Sequence, residues 1–194
     1  MIIDHGVQTA SVEGLEGLTI GRLAADLGMS KSGVLGHFGT KESLQLAVLD
    51  AAAEVFVREV PQRARGAQAG LPRLLALCSA WVSYLERGVF RGGCFINAAA
   101  IEFDDRGGPV RDAVAAFNSR WLEELGRHVT IATEAADLPP DTDSGQVVYE
   151  LLGQMLALNL TLQLHRDRTA PDLTRRAMGR LLGHPVPPAD TLPH

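Results

Sequence analysis

The chain has 194 residues, enough for one compact unit or for a small domain joined to a larger one. It is acidic, at formal net charge −5, so its composition alone gives no sign of a nucleic-acid partner. Its two cysteines, Cys78 and Cys94, are expected as buried thiols in a reducing cytoplasm.

Periodicity is helical nearly throughout. A short apolar helix over Ile2 to Val12 comes first, followed by a loop bounded by Gly14 and Gly17 that continues through Leu18 and Thr19. Residues 19–41 then read as two short helices joined by a glycine turn. Ile20, Leu23, Ala24 and Leu27 share one face of the first helix. Gly28 ends it, because a left-handed residue there costs glycine no steric penalty. Ser30 is placed to cap the free N–H groups of the second helix. In that helix Met29, Val34 and Phe38 are expected to face inward, and Lys31, Ser32, Leu35 and His37 outward. Such a pair is a helix-turn-helix, whose outward residues enter the major groove of DNA. The only two lysines of the chain, Lys31 and Lys41, flank the reading helix, where an ammonium meets phosphates. The surrounding residues 1–60 carry four basic and eight acidic side chains, so the DNA reading rests on the local pattern. Arg22 is expected to neutralise Asp26, four residues on.

The run from Ile20 through Leu44, with the His37-Phe38 and Lys41-Glu42 pairs at their spacing, resembles the TetR family of bacterial transcriptional regulators, and the likeness extends over residues 2–56. The resemblance implies an all-α homodimer that binds palindromic double-stranded DNA operators, usually as a repressor, and lets go when a small molecule fills the C-terminal domain. Carried onto this sequence, it gives Thr19 and Lys41 phosphate contacts at two helix starts. It places Ser30, Lys31, Ser32, Gly33, Leu35 and His37 where the family reads bases or clasps the backbone. The physics agrees at the helix starts, where unpaired N–H groups and the helix dipole favour an anion. Three departures stand out. Leu35 occupies a position where the family often has tyrosine, so one hydroxyl for a phosphate is missing. Gly33 and Gly36 each cost the reading helix up to about 1 kcal/mol relative to alanine. No counterpart of the family's basic arm precedes Ile2, and whether the native start lies upstream of Met1 stays open.

Beyond the reading domain, assigned to residues 1–45, a larger helical ligand-binding and dimerisation domain is expected over 46–183 and a disordered tail over 184–194. From Lys41 a long helix shows Leu44, Val48, Ala51 and Val55 on one stripe and ends near Pro61. Residues 61–71 read as a surface connection. Leu74, Cys78, Trp81 and Leu85 make the next stripe, widened by Leu75 and Val82. A short helix from Cys94 to about Glu102 follows the Gly92-Gly93 break. Pro109 opens a long helix with Val110, Val114, Phe117, Trp121 and Leu125 on its buried face. The stretch from Asp143 to Leu164 is apolar all round and must be covered on more than one side. Glu150, Gln154, Asn159 and Gln163 interrupt it, which argues against a membrane span. With the final helix, it is expected to build a four-helix interface with a second subunit through Val147, Leu151, Leu158, Leu162, Leu173, Ala177 and Leu181. The total is about nine helices.

Helical spacing makes the C-terminal aromatics core residues first. The resemblance adds a pocket, for which Trp81, Tyr84, Leu85, Phe95, Phe117, Trp121, Met155 and Asn159 are the candidates, with a largely apolar effector. No catalytic, metal or cofactor site is expected. The six histidines lack paired ligand spacing, and there is no phosphate-binding glycine loop, nucleophile elbow or repeat. Glu102, Asp104 and Asp105 read as solvated carboxylates capping helix ends. Two other classes stay open: a ligand-binding protein or enzyme of this fold that has lost operator binding, and an interaction module whose last helices join a different chain.

Overall fold

In the computed structural model, residues 2–191 are described, and Met1 and residues 192–194 lie outside the described residues. These residues form nine α-helices and no strand: α1 (Ile2–Glu13), α2 (Ile20–Asp26), α3 (Lys31–Phe38), α4 (Lys41–Glu59), α5 (Leu71–Glu86), α6 (Phe95–Glu102), α7 (Pro109–Glu134), α8 (Ser144–Gln163) and α9 (Ala170–Leu182). The all-α expectation and the number of helices hold. The chain divides into two compact units, residues 1–55 with 90–118, and residues 56–89 with 119–194. The first thus gains a segment, 90–118, that the sequence boundary at residue 45 assigned to the other domain.

In the first unit, Leu15, Leu18, Leu23, Val34, Leu44 and Val48 are fully buried. Each short helix therefore contributes only one or two large side chains to the core. Close backbone approach does the rest. Gly92, before α6, lies so near the main chain of α1 that a Cβ would stand 1.5 Å from the Ser11 carbonyl oxygen. Only glycine fits there. Gly14, at φ +85°, leaves room for the carboxylate of Glu102, which a Cβ would approach to 2.5 Å.

In the second unit, α5 packs on both α8 and α9, and α8 on α9. The sequence reading of α5 changes in one respect. α5, expected to bury a stripe, is buried continuously from Ala76 to Leu85. Its small Ala76, Ser79, Ala80 and Ser83 allow neighbours to close in on every side. α8, expected to meet the core with one face and a partner subunit with the other, buries Val147, Leu151, Met155 and Leu158 and leaves the opposite face exposed. Residues 184–191, expected to be disordered, are instead ordered against this unit. Val186 is buried, and a 3-10 turn at Ala189–Thr191 packs on α5. The remainder of the expected tail, 192–194, lies outside the described residues.

Candidate nucleic-acid interface

Three hydroxyl caps frame the reading head. Thr19 Oγ1 accepts from the Arg22 amide at 3.1 Å at the start of α2, and Ser30 Oγ accepts from the Gly33 amide at 3.0 Å at the start of α3. Thr40 Oγ1 accepts from the Ser43 amide at 3.0 Å at the start of α4. Each cap satisfies one orphan donor and leaves other first-turn N–H groups free for an anion. Between α2 and α3, Gly28 takes φ +62°, the left-handed turn expected of it. After α3, Gly39 at φ +71° ends the helix.

Within α3, Val34 is fully buried, whereas Lys31, Ser32, Leu35, Gly36 and His37 are exposed. Met29, expected inward, is also exposed, and Phe38 is half-buried, so a single residue of α3 is buried. Gly33 has a local reason for being glycine, since a Cβ there would stand 3.1 Å from the capping Ser30 Oγ. Gly36 has none, and the space beside it is open. The Lys31 ammonium makes no hydrogen bond or ion pair among the described residues. The His37 ring lies tilted beside that of Phe38, at 6.3 Å between centroids.

Lys41 is placed differently. Its Nζ donates to Glu16 Oε1 at 2.7 Å. The other oxygen of Glu16 accepts from Gln45 Nε2 at 3.1 Å and lies 3.4 Å from the Arg106 guanidinium. Hydrogen bonds from Lys41, and then from Gln45, hold the Glu16 carboxyl below the usual carboxylate range despite partial burial. Gln45, buried, also donates to the Leu15 carbonyl at 2.9 Å. Glu102 is not a solvated helix cap, as its sequence context suggested. Its two oxygens accept from the Leu15 and Glu16 amides at 2.8 and 3.0 Å and fix the loop between α1 and α2. Arg22 is neutralised as expected, by Asp26 at 3.0 Å and also by Glu13 at 2.9 Å.

None of Glu16, Gln45, Glu102 and Arg106 stood out as a site residue in the sequence. Gln45 carried a signal, a long polar side chain next to the apolar stripe of α4. The others are joined across more than 60 residues, where periodicity is silent.

Of the pocket candidates, Trp81, Tyr84, Leu85, Trp121, Met155 and Asn159 belong to the second unit, and Phe95 and Phe117 to the first. Trp81 and Trp121 meet edge to face at 5.1 Å, and Phe56 joins them, 5.1 Å from Trp121 and 5.5 Å from Tyr84. Phe56 was missed because it follows the long α4 stripe rather than the later aromatics. The indole nitrogens of Trp81 and Trp121 and the Gln154 Oε1 are buried with no hydrogen-bond partner among the described residues. Of the dimer candidates, Val147, Leu151 and Leu158 lie inside the chain, Leu162, Ala177 and Leu181 are half-buried, and Leu173 is 51% exposed. The outward face of α8 carries Tyr149, Leu156 and Leu160, and Leu164 continues it, at 73, 40, 54 and 68% exposure. Cys78 and Cys94 are buried and not joined in a disulfide, and burial pushes the Cys78 thiol up to about 12. Among the described residues, no cluster of His, Cys, Asp and Glu could hold a metal, and no helix is long and apolar enough to cross a membrane.

Comparison with known proteins agrees with this architecture. The family model described as bacterial regulatory proteins, tetR family, matches residues 2–48, and the tetracyclin repressor-like C-terminal domain matches residues 70–178. A TetR transcriptional regulator from Chloroflexus aurantiacus J-10-fl shares the fold at TM-score 0.85 and 24% identity, over 95% of this chain and 93% of that one. A TetR-family regulator from Cytophaga hutchinsonii does so at 0.81 and 19%, over 96% and 94%. AibR, solved in complex with isovaleryl coenzyme A and operator DNA, matches at 0.77 and 20%, over 93% and 96%. No curated protein matches the sequence. With its N-terminal and C-terminal parts both matched, the chain belongs to the TetR family of transcriptional regulators.

Proposed function

We infer that this protein is a cytoplasmic, homodimeric repressor that binds a palindromic operator and is released by a small, largely apolar ligand in its C-terminal domain. The observation that carries the DNA reading is Lys31. It stands exposed and unpaired in the first turn of a capped reading helix, beside Ser32, Leu35 and His37. A cation there reaches phosphates or guanine edges. The outward face of α8 supports the dimer. Tyr149, Gly153, Leu156, Leu160 and Leu164 recur at helical spacing on one stripe, opposite the residues buried in the chain. A contiguous apolar stripe of this size asks for a partner. Two copies related by a twofold axis would present two reading helices to a palindrome.

For the effector, the support is the aromatic cluster and its unpartnered indole donors, which suit an apolar molecule bearing a hydrogen-bond acceptor. AibR, a structural neighbour, was solved with both an acyl thioester and operator DNA, and a ligand that acts on operator binding fits that pattern.

A second reading, a ligand-binding protein that no longer binds an operator, draws on the internal pairing of Lys41 and Arg22 and on Leu35. DNA binding by variants separates the two. Lys41→Ala should weaken binding to every duplex and flatten its salt dependence by about one ion, whereas Lys31→Ala should also blur the preferred site. Equal loss on matched and scrambled sites for Lys31→Ala would remove its base-reading role, and no salt-sensitive binding by the unaltered dimer would favour the second reading.

A further inference from the structure

The network around Lys41 has a feature that a phosphate contact alone does not require: the ammonium already has an anion. Glu16 Oε1 accepts from Lys41 Nζ at 2.7 Å, the geometry a phosphate oxygen would adopt. The carboxylate is not a chance surface neighbour. Its second oxygen is held by buried Gln45, and Arg106 lies 3.4 Å away. Its own amide is fixed by Glu102, for whose carboxylate Gly14 leaves space. The Lys41–Glu16 pair is about two-fifths exposed on each side, at 39% and 39%. An ion pair in that setting adds little to stability. The surrounding supports are therefore out of proportion to a stabilising role.

We propose that Glu16 is an internal competitor of the DNA phosphate. It occupies Lys41 in the free protein and thereby sets the affinity for every DNA sequence, while Gln45, Glu102 and Arg106 act as positioning residues that keep it in place. DNA binding then exchanges one partner of Lys41 for another, so part of the phosphate attraction is spent on displacing Glu16. Because Glu102 and Arg106 belong to the segment at 90–118, a rearrangement of that segment would change how firmly Lys41 is withheld. The inference rests on the DNA-binding reading above.

The test is a double-variant cycle on the full-length protein, with a random-sequence duplex of about 30 base pairs as probe and the affinity followed against salt. Glu16→Gln should bind about two- to fivefold more tightly at low salt, the range expected for a partly exposed ion pair. Its salt dependence should steepen by a fraction of an ion, since the Glu16 carboxylate freed from Lys41 draws in a cation and the amide does not. In a Lys41→Ala background, Glu16→Gln should keep only the small gain that removal of a nearby negative charge gives by itself. Glu42→Gln removes the same charge from the first turn of α4 and should give a smaller gain that survives Lys41→Ala. Helical content by circular dichroism verifies that each variant is folded. If the amide disturbs the loop, Glu16→Ala carries the same expectation. Unchanged or weaker binding by Glu16→Gln, or a gain as large without Lys41 as with it, would overturn the competitor role while leaving the DNA reading intact. Binding by none of the proteins, the unaltered one included, would overturn both.

Discussion

The reading helix α3 and the helix α5 of the second unit are held in place by opposite means. Of the eight residues of α3, Val34 alone is buried, and the helix depends on its ends: the Ser30 cap, and the turns at Gly28 and Gly39. Of the sixteen residues of α5, twelve are buried, and its start has no side-chain cap. Packing fixes α5, whereas local hydrogen bonds and turns fix α3. A surface that must meet another molecule cannot also be buried, so a reading helix is left with capping and loop anchoring as its sources of order.

Substitutions can break this contrast at either end. The largest effect is expected for Trp81→Ala, which removes a fully buried indole from the cluster with Phe56 and Trp121. Such truncations cost about 3–5 kcal/mol, read as a fall in the urea midpoint. Glu102→Ala comes next. It strips the Leu15 and Glu16 amides of their acceptor, a loss of about 1–3 kcal/mol. Hydrogen exchange should show those two amides opening well before α5. Ser30→Ala should cost about 1 kcal/mol and be local. Faster exchange across Lys31–Phe38 with a fall in the urea midpoint no larger than a loss of about 1 kcal/mol implies is the expected result, and a loss of several kcal/mol would argue that α3 is held by more than its ends.

The smallest and most gradual effect is a pH dependence in the second unit. His128 Nδ1 accepts from the Gly70 amide at 3.2 Å, just ahead of α5, so the ring is held neutral with its proton on Nε2 beside Glu124. Burial first, then the charge of Arg127, lowers its pKa from the ordinary 6.5, while Glu124 opposes the shift. The unfolded chain therefore binds this proton more readily than the folded one. The stability contributed is present above pH 6.5 and declines as pH falls below it, through the lowered folded value. Urea midpoints at pH 7 and pH 5.5 should differ less in His128→Gln than in the unaltered protein.

The same contrast explains what was legible in the sequence. Caps, glycine turns and amphipathic stripes are encoded within a few residues, so the helices, the reading head and the pairing of Arg22 with Asp26 were visible. The hold on Lys41 was not, because Glu102 lies 86 residues from the Glu16 amide it anchors, and no short-range period reports such a contact. The extent to which α5 and α8 are covered within one chain was illegible for a related reason. Apolar residues all round a helix say that every side needs cover, but not whether the same chain or a second copy supplies it. α5 is no less apolar than α8, and its small Ser79 and Ala80 let neighbours of the same chain enclose it. The tail at 184–191 was misread because its prolines hid Val186, which is buried over Gly179, where a Cβ would stand 3.1 Å from the His184 carbonyl.

The most direct test of a dimeric operator-binding regulator is selection of duplexes from a random pool by the purified protein, with the mass of the selected complex measured by sedimentation. Enrichment of a palindrome, its half-sites about one helical turn apart or a multiple of it, bound by a dimer, is the predicted result. A folded dimer that enriches no sequence and binds no duplex even at low salt would contradict it.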